Sequence, residues 1–164
     1  MTIPATKLDE QFMKRAIELS EKAGITDKTG GVFGCVIAKD GKIIGEGYNQ
    51  VIKHNDPTWH GEIQAIREAC KAAGSPHIEG AVLYTSAEPC PMCLAACYWA
   101  HIDHYFFAAH IEDALKYGDF KDKDFYKELK DTPEHRAIKS QELLREQAVA
   151  IWKKFAAMPG RAKY

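Results

Sequence analysis

The stretch Pro89-Cys90-Pro91-Met92-Cys93, near the middle of a chain of 164 residues, holds two cysteines three positions apart. The apolar run Ala81-Val82-Leu83-Tyr84-Thr85 comes before it and predicts a strand that ends just ahead of the cysteines. Proline suits the first position of a helix, so the stretch predicts a helix that begins at Pro91. The positive end of that helix favours the thiolate form of Cys90 and Cys93.

A second motif lies upstream, where His60-Gly61-Glu62 precedes an apolar helical face that ends near Gly74. Imidazole and thiolate are ligands that zinc prefers, and three protein ligands leave one position for water, as in catalytic sites. The sequence therefore predicts a catalytic zinc centre with His60, Cys90 and Cys93 as ligands. Glu62 is predicted to carry the proton of the water that the metal activates.

Other interpretations of these motifs stay open. A Cys-x-x-Cys pair is also typical of redox proteins and of structural zinc sites. A structural site is usually closed by a fourth ligand, for which Cys35, Cys97 and His54 are the candidates. Cys97 follows Cys93 by one helical turn and so lies on the same face. Unfolding on chelation, without hydrolytic activity, would favour this interpretation.

The composition indicates one globular domain with a small-molecule partner. Apolar residues make up 46% and charged residues 27% of the chain. The 22 basic and 23 acidic side chains are interleaved, which disfavours binding to a nucleic-acid backbone. No apolar run approaches the roughly 20 residues that span a bilayer, and the start lacks a signal peptide's hydrophobic segment. We therefore expect neither a nucleic-acid nor a membrane partner, and a cytoplasmic location.

The first two thirds of the chain predict a mixed sheet packed between helices. A capping box at Thr6 begins a first helix that ends at Gly24. Asp40-Gly41 joins two apolar runs, which predicts an antiparallel hairpin. Residues 49–59 are polar and predict a loop. Residues 102–109 predict a strand that follows the cysteine helix and is therefore parallel to the strand before it.

The last third is less regular. Residues 111–116 predict a short helix, residues 117–127 form a charged stretch, and residues 140–157 predict a helix that Ser140 caps. The fold class is therefore α/β, with an antiparallel first hairpin and parallel later strands, in a single domain of residues 1–164. In open sheets of this class, ligands bind near the carboxyl ends of the strands.

Together the two motifs give the H-x-E…P-C-x-x-C signature of zinc nucleobase deaminases. At these residues the chain resembles the cytidine-deaminase-like superfamily, and most of all its bacterial guanine deaminases, along nearly its whole length. The other residues that carry the resemblance are Gly31-x-Phe33-Gly34, Asn49, Asn55-Asp56-Pro57-Thr58, Tyr98-Trp99-Ala100, Phe120-x-Asp122, Tyr126-Lys127-Glu128 and Tyr164.

The resemblance implies a three-layer αβα sandwich, one Zn²⁺ ion, and hydrolysis of guanine to xanthine and ammonia in purine breakdown. It implies that zinc-bound hydroxide attacks the ring carbon that carries the amine, with Glu62 as the proton shuttle. It further implies a homodimer of cytosolic subunits that share an active site. Residues 140–164, approximately, would be exchanged between the two subunits.

The resemblance also implies substrate contacts. Asn49 would donate a hydrogen bond to the carbonyl edge of the base, and Phe33 would line the pocket. Asp122 would read the base or handle a second proton, and Tyr164 would close the pocket from the tail.

The chain departs from the family beside the metal histidine, where Gly61 replaces the usual alanine and Trp59 replaces a small residue. Both positions are expected to border the substrate, which makes Trp59 a further candidate contact. The alternatives to guanine are therefore cytosine, isocytosine, an ammeline-type triazine and guanosine. Adenosine in transfer RNA is a weaker alternative, disfavoured by the lack of a basic patch.

Overall fold

The computed structural model describes residues 4–162, and a four-stranded mixed sheet lies at its centre. The strands are β1 (Gly34–Lys39), β2 (Lys42–Tyr48), β3 (Val82–Ala87) and β4 (His104–Ala109), in the order β2-β1-β3-β4. β1 pairs antiparallel with both β2 and β3, whereas β3 and β4 are parallel. The predicted α/β class, with an antiparallel hairpin and later parallel strands, is confirmed.

The turn between β1 and β2 is formed by the Asp-Gly pair, as predicted. Asp40 has a φ of 51° and Gly41 a φ of 73°. Two successive residues in the left-handed region give a turn whose twist matches that of the flanking strands, and Asp-Gly is favoured there. Lys39 is consequently paired with Lys42 across the hairpin.

Helices cover both faces of the sheet. Successive side chains of β1 point to opposite faces, so its buried residues pack against helices on both sides. α1 (Lys7–Glu21) covers one face, while α3 (Gly61–Ala73) and α4 (Pro91–Trp99) cover the other. The first core contains Phe12, Ala16, Leu19, Val36, Ala38 and Tyr84, and the second contains Cys35, Ile37, Ala65, Ala69, Leu83 and Cys97. The result is the three-layer αβα sandwich.

The predicted helix starts hold where a local signal sets them. Thr6 and Asp9 form the capping box of α1, which a π-helix (Lys22–Thr26) continues past the predicted end. His60 and Cys90 are the residues that precede the first turns of α3 and α4, and Pro91 occupies the first helical position of α4. Both motifs therefore lie at helix amino termini.

Two segments in the middle of the chain differ from the sequence prediction. The loop at residues 49–59 contains one helical turn, α2 (Val51–His54). The charged stretch contributes to two helices, α5 (Ile111–Gly118) and α6 (Asp122–Lys130). Acidic residues begin α6 and lysines end it, an arrangement that complements the helix dipole.

Residues Lys127–Tyr164 form a unit of their own by contacts, separate from Met1–Tyr126. Within it, α7 (Arg145–Ala157) begins five residues later than predicted, so the prediction that Ser140 caps this helix is wrong. Leu144 precedes the helix with a φ of 55° and offers no side-chain cap. Within residues 4–162, every helix is too short or too polar to cross a bilayer.

Candidate active site

Two helix amino termini meet at the candidate site. α3 presents His60, and α4 presents Cys90 and, at its third helical position, Cys93. β3 ends at Ala87, so the cysteines follow directly from the carboxyl end of that strand, as predicted for this class of fold. One imidazole and two thiols are thereby brought to the same end of the sheet.

The spacing of the three groups fits a tetrahedral zinc ion. The Nδ1 atom of His60 lies 3.7 Å from the Sγ atom of Cys90 and 3.5 Å from that of Cys93. With Zn–N bonds of about 2.0–2.1 Å and Zn–S bonds of about 2.3 Å, tetrahedral geometry separates nitrogen from sulfur by about 3.5 Å. Nδ1 is therefore the nitrogen that faces the metal position.

The group consists of three residues, which is the number typical of catalytic zinc. Among residues 4–162, no further His, Cys, Asp or Glu side chain joins this cluster at ligand spacing. Cys35, Cys97 and His54, the candidates for a fourth ligand, all lie outside it. Burial in the core raises the pKa of the Cys97 thiol to about 12, which favours the neutral thiol of a packed core residue.

The two thiols of the cluster differ in acidity. A hydrogen bond from the Cys93 thiol, with a further one from His60, lowers the pKa of Cys90 to about 4. The same hydrogen bond, together with burial, raises the pKa of Cys93. The cluster therefore pairs a thiol that ionises readily with one that does not, and a bound cation would favour the thiolate form of both, as is usual for a coordinating thiol pair.

Glu62 is a buried carboxyl group beside this cluster. Its side chain is 5% exposed, and the hydroxyl group of Thr85 donates a hydrogen bond to Oε1 at 3.2 Å. Burial raises the pKa of Glu62, so this carboxyl group holds a proton more readily than an exposed glutamate does, which suits a group that takes up and releases a proton. Thr85 was missed by sequence reasoning, although a threonine at the end of an apolar strand next to the cysteines is a usable signal.

A cavity of about 580 Å³ opens onto the cluster. This volume is within the range of small-molecule sites. The predicted site residues that line the cavity are Phe33, Asn49, His60, Glu62, Cys90 and Asp122. Phe120, which was not predicted, also lines it and packs edge-on against Phe33 with ring centroids 4.8 Å apart. The cavity therefore combines two aromatic rings with polar groups around the cluster.

Two hydrogen bonds hold Asn49 in the cavity wall, one to its backbone carbonyl oxygen and one to its side-chain amide oxygen. The Thr29 hydroxyl donates to the carbonyl oxygen of Asn49 at 2.8 Å, and Oδ1 of Asn49 accepts the backbone N–H of Val51 at 3.2 Å. A side chain at Gly30 would collide with Oδ1, so glycine is needed there. With Oδ1 engaged, the side chain of Asn49 can offer its NH₂ group as a donor to a ligand in the cavity.

Asp122 lies in the cavity wall at the start of α6. Tyr126, one turn further along, donates a hydrogen bond from its hydroxyl group to the carbonyl oxygen of Pro89 at 2.7 Å. This bond ties α6 to the turn that carries the cysteines. Burial raises the pKa of Asp122, and the nearby Cys90 thiolate raises it further.

The two departures from the family pattern do not line the cavity. The Trp59 ring stacks on the His54 ring with centroids 3.9 Å apart. The guanidinium carbon of Arg67 lies over the Trp59 ring, 5.9 Å from its centroid. A Cβ atom at Gly61 would point at the backbone of β2, 3.3 Å from the carbonyl oxygen of Gly47. A substrate contact by Trp59 stays a prediction, as does one by Tyr164, which lies outside the described residues.

Comparison with known proteins supports the interpretation of this site as a zinc-binding centre. Residues 6–109 match the sequence profile of the cytidine and deoxycytidylate deaminase zinc-binding region. The chain is 50% identical over 129 residues to guanine deaminase of Bacillus subtilis (strain 168), a match that covers 79% of this chain and 81% of that one. A tRNA-specific adenosine deaminase of Aquifex aeolicus (strain VF5) is 37% identical over 100 residues, which cover 61% of this chain and 65% of the relative.

Solved structures agree with this placement. The X-ray structure of guanine deaminase from Bacillus subtilis superimposes with a TM-score of 0.89 at 42% identity, and covers 94% of this chain and 98% of that chain. Guanine deaminase from Nitrosomonas europaea superimposes with a TM-score of 0.64 at 25% identity, and covers 96% of this chain and 88% of that chain.

Proposed function

The chain belongs to the cytidine and deoxycytidylate deaminase family of zinc-binding enzymes, and from this premise we propose that it converts free guanine and water to xanthine and ammonia. The observation that carries the proposal is the cluster of His60, Cys90 and Cys93 beside buried Glu62, at the wall of a cavity of about 580 Å³. The choice of guanine rests on the similarity to guanine deaminase of Bacillus subtilis.

Nδ1 of His60 and the thiolates of Cys90 and Cys93 would hold the zinc ion. When bound, zinc supplies a Lewis acid that lowers the pKa of water to roughly 7 and makes it a nucleophile. Glu62 takes the proton of the attacking water and delivers it to the ring nitrogen next to C2. It then takes the proton of the new hydroxyl group at C2 and passes it to the amine, so that ammonia leaves and the oxygen at C2 becomes a carbonyl group. A raised pKa lets this one carboxyl group act as base and then as acid.

The other cavity residues recognise the base. Asn49 donates from its NH₂ group to the carbonyl oxygen of guanine, and Phe33 with Phe120 provides apolar walls for the flat ring. Asp122 accepts an N–H group of the ring or handles a second proton. Substrate contacts by Trp59 and Tyr164 remain part of the proposal.

A panel of substrates tests the proposed function. Release of ammonia should be measured with the zinc-loaded protein on guanine, cytosine, isocytosine, ammeline, guanosine and adenosine in transfer RNA. We expect the highest kcat/KM for guanine. Absence of activity on guanine, or a higher kcat/KM for another compound of the panel, would remove this assignment of substrate.

Replacement of Asn49 by aspartate tests how the carbonyl group is recognised. The variant keeps the shape of the side chain and its acceptor Oδ1, but it replaces the donor with a charged carboxylate oxygen that repels the carbonyl group. The value of kcat/KM on guanine is therefore expected to fall at least about 10- to 100-fold. 2-Aminopurine, which lacks the carbonyl group, provides the control because Asn49 has nothing to donate to there. An equal loss on both compounds would show that Asn49 does not read the carbonyl group.

The proposal extends to the assembly and its setting. By its resemblance to cytosolic enzymes of purine breakdown, the protein is proposed to act in the cytoplasm as a homodimer that exchanges residues 140–164, approximately, between subunits. Light scattering on the purified chain should then give twice the mass of one chain. The mass of a single chain would contradict the dimer.

A further inference from the structure

Two loops lie at the end of the sheet opposite to the end that carries the cluster of His60, Cys90 and Cys93. One joins α3 to β3 and carries His77 and Glu79, and the other joins α4 to β4 and carries His101. The two loops are neighbours because β3 and β4 are adjacent and parallel. α4 has nine residues and so a length of about 13 Å, which separates His101 at its far end from Cys90 at its beginning.

Backbone hydrogen bonds fix the two loops to each other. The N–H of Ile78 donates to the carbonyl oxygen of Ala100 at 2.9 Å, and the N–H of Asp103 donates to that of Ala81 at 3.2 Å. The N–H of Gly80 also donates to Oδ1 of Asp103, at 3.0 Å. Ile78 and Ala100 are both buried. The frame that carries the three side chains is therefore rigid before any ligand arrives.

The three side chains converge at the spacing of a metal site. The rings of His77 and His101 stack with centroids 3.9 Å apart and planes 8° from parallel. Oε1 of Glu79 lies 3.0 Å from Nδ1 of His101 and 4.0 Å from Nδ1 of His77. One ligand atom from each residue lies within 4.8 Å of the other two.

His77 has unused hydrogen-bonding capacity. Its Nε2 atom is buried and has no partner among residues 4–162, and its Nδ1 atom is too far from Glu79 for a hydrogen bond. Buried polar atoms usually have partners, so the unpaired Nε2 atom leaves a lone pair of the His77 ring open to a ligand. A cation meets this need, because all three groups can donate a lone pair to it.

We propose that His77, Glu79 and His101 bind a second divalent transition-metal ion that fastens the loops before β3 and β4 together. Two imidazoles and a carboxylate suit ions such as Zn²⁺, Ni²⁺ and Cu²⁺. A ring nitrogen binds a metal in the plane of the ring, and parallel planes do not meet at one point. His101, whose side chain is 48% exposed, therefore turns about its Cβ–Cγ bond when the ion binds.

The test uses Ni²⁺ and the zinc-loaded chain without a histidine tag. Equilibrium dialysis followed by elemental analysis should give one nickel per chain while the active-site zinc stays in place. His101 has a φ of 55°, a conformation that glycine adopts freely, so His101→Gly removes the ligand without straining the backbone. This variant is expected to bind Ni²⁺ at least about 10- to 100-fold more weakly, because loss of even an outer-shell partner has an effect of that size.

Two control variants locate the ion. His135→Ala removes an exposed imidazole of the other unit and should bind Ni²⁺ like the wild type. His110→Ala removes the histidine of the Glu88, His110 and Glu112 group, and should also leave binding unchanged. The proposal would be overturned if the zinc-loaded wild type bound no nickel. It would also be overturned if His101→Gly bound Ni²⁺ with the affinity of the wild type, or if His110→Ala lost nickel binding.

A second measurement separates binding from folding. The thermal midpoint of the wild type should rise with Ni²⁺ concentration, since a ligand of the native state stabilises it by mass action. His101→Gly should fold with a similar midpoint in the absence of nickel and show the rise only at Ni²⁺ concentrations at least about 10- to 100-fold higher. A rise of equal size in this variant would mean that the ion binds elsewhere.

Discussion

Replacement of Glu62 by glutamine is expected to lower kcat by about 10²- to 10⁴-fold, the usual contribution of a positioned acid or base. Glutamine has the size of glutamate, and its amide oxygen can still accept the hydrogen bond that Thr85 makes to Oε1. The variant therefore keeps the shape of the cavity and loses only the group that carries a proton. Metal analysis should still find one zinc ion per chain, because Glu62 lies outside the cluster of His60, Cys90 and Cys93.

Glu68→Gln provides the matched control for this variant. Glu68 is on the same helix, α3, and is exposed. The Glu68→Gln variant should retain the wild-type rate, zinc content and thermal midpoint. A near-normal rate in Glu62→Gln would mean that another group moves the proton. Loss of zinc from that variant would mean instead that the carboxylate helps to hold the metal.

The parts of the fold that follow from neighbouring residues were predictable from the sequence. Asp40-Gly41 sets a hairpin through its own backbone preferences, and Thr6 caps α1 through a residue only three positions away. Pro91 sets the start of α4 in the same way. Ser140 was misleading because a capping side chain is effective only if the chain becomes helical at that point, and α7 begins five residues later.

The candidate site was predictable only where a motif marks it. His60, Cys90 and Cys93 stand in a recognisable order, and the structure brings them within ligand spacing. Thr85 belongs to no motif, and Phe120 is marked only by the family resemblance. Each acts through a partner distant in sequence, Glu62 in one case and Phe33 in the other. Such pairings depend on how strands and helices pack, which local patterns do not specify.

The pair Cys93→Ala and Cys97→Ala separates a catalytic from a structural zinc site. The two cysteines are four residues apart on α4, and both are buried. Each substitution removes one buried sulfur atom and should lower the free energy of unfolding by about 1 kcal/mol, a typical value for a point substitution. Any larger difference between the variants therefore reports on the metal and not on the packing.

Only Cys93 belongs to the cluster with His60, so we expect Cys93→Ala to lose its zinc and at least about 10³-fold in kcat, since a metal contributes several kcal/mol to the barrier and each 1.36 kcal/mol is tenfold. Cys97→Ala should keep one zinc ion and about the wild-type rate. Zinc content and ammonia release measured on the same samples decide between the outcomes. If Cys97→Ala also released its zinc, the ion would have four protein ligands and no position for water, and the hydrolytic mechanism would have to be abandoned.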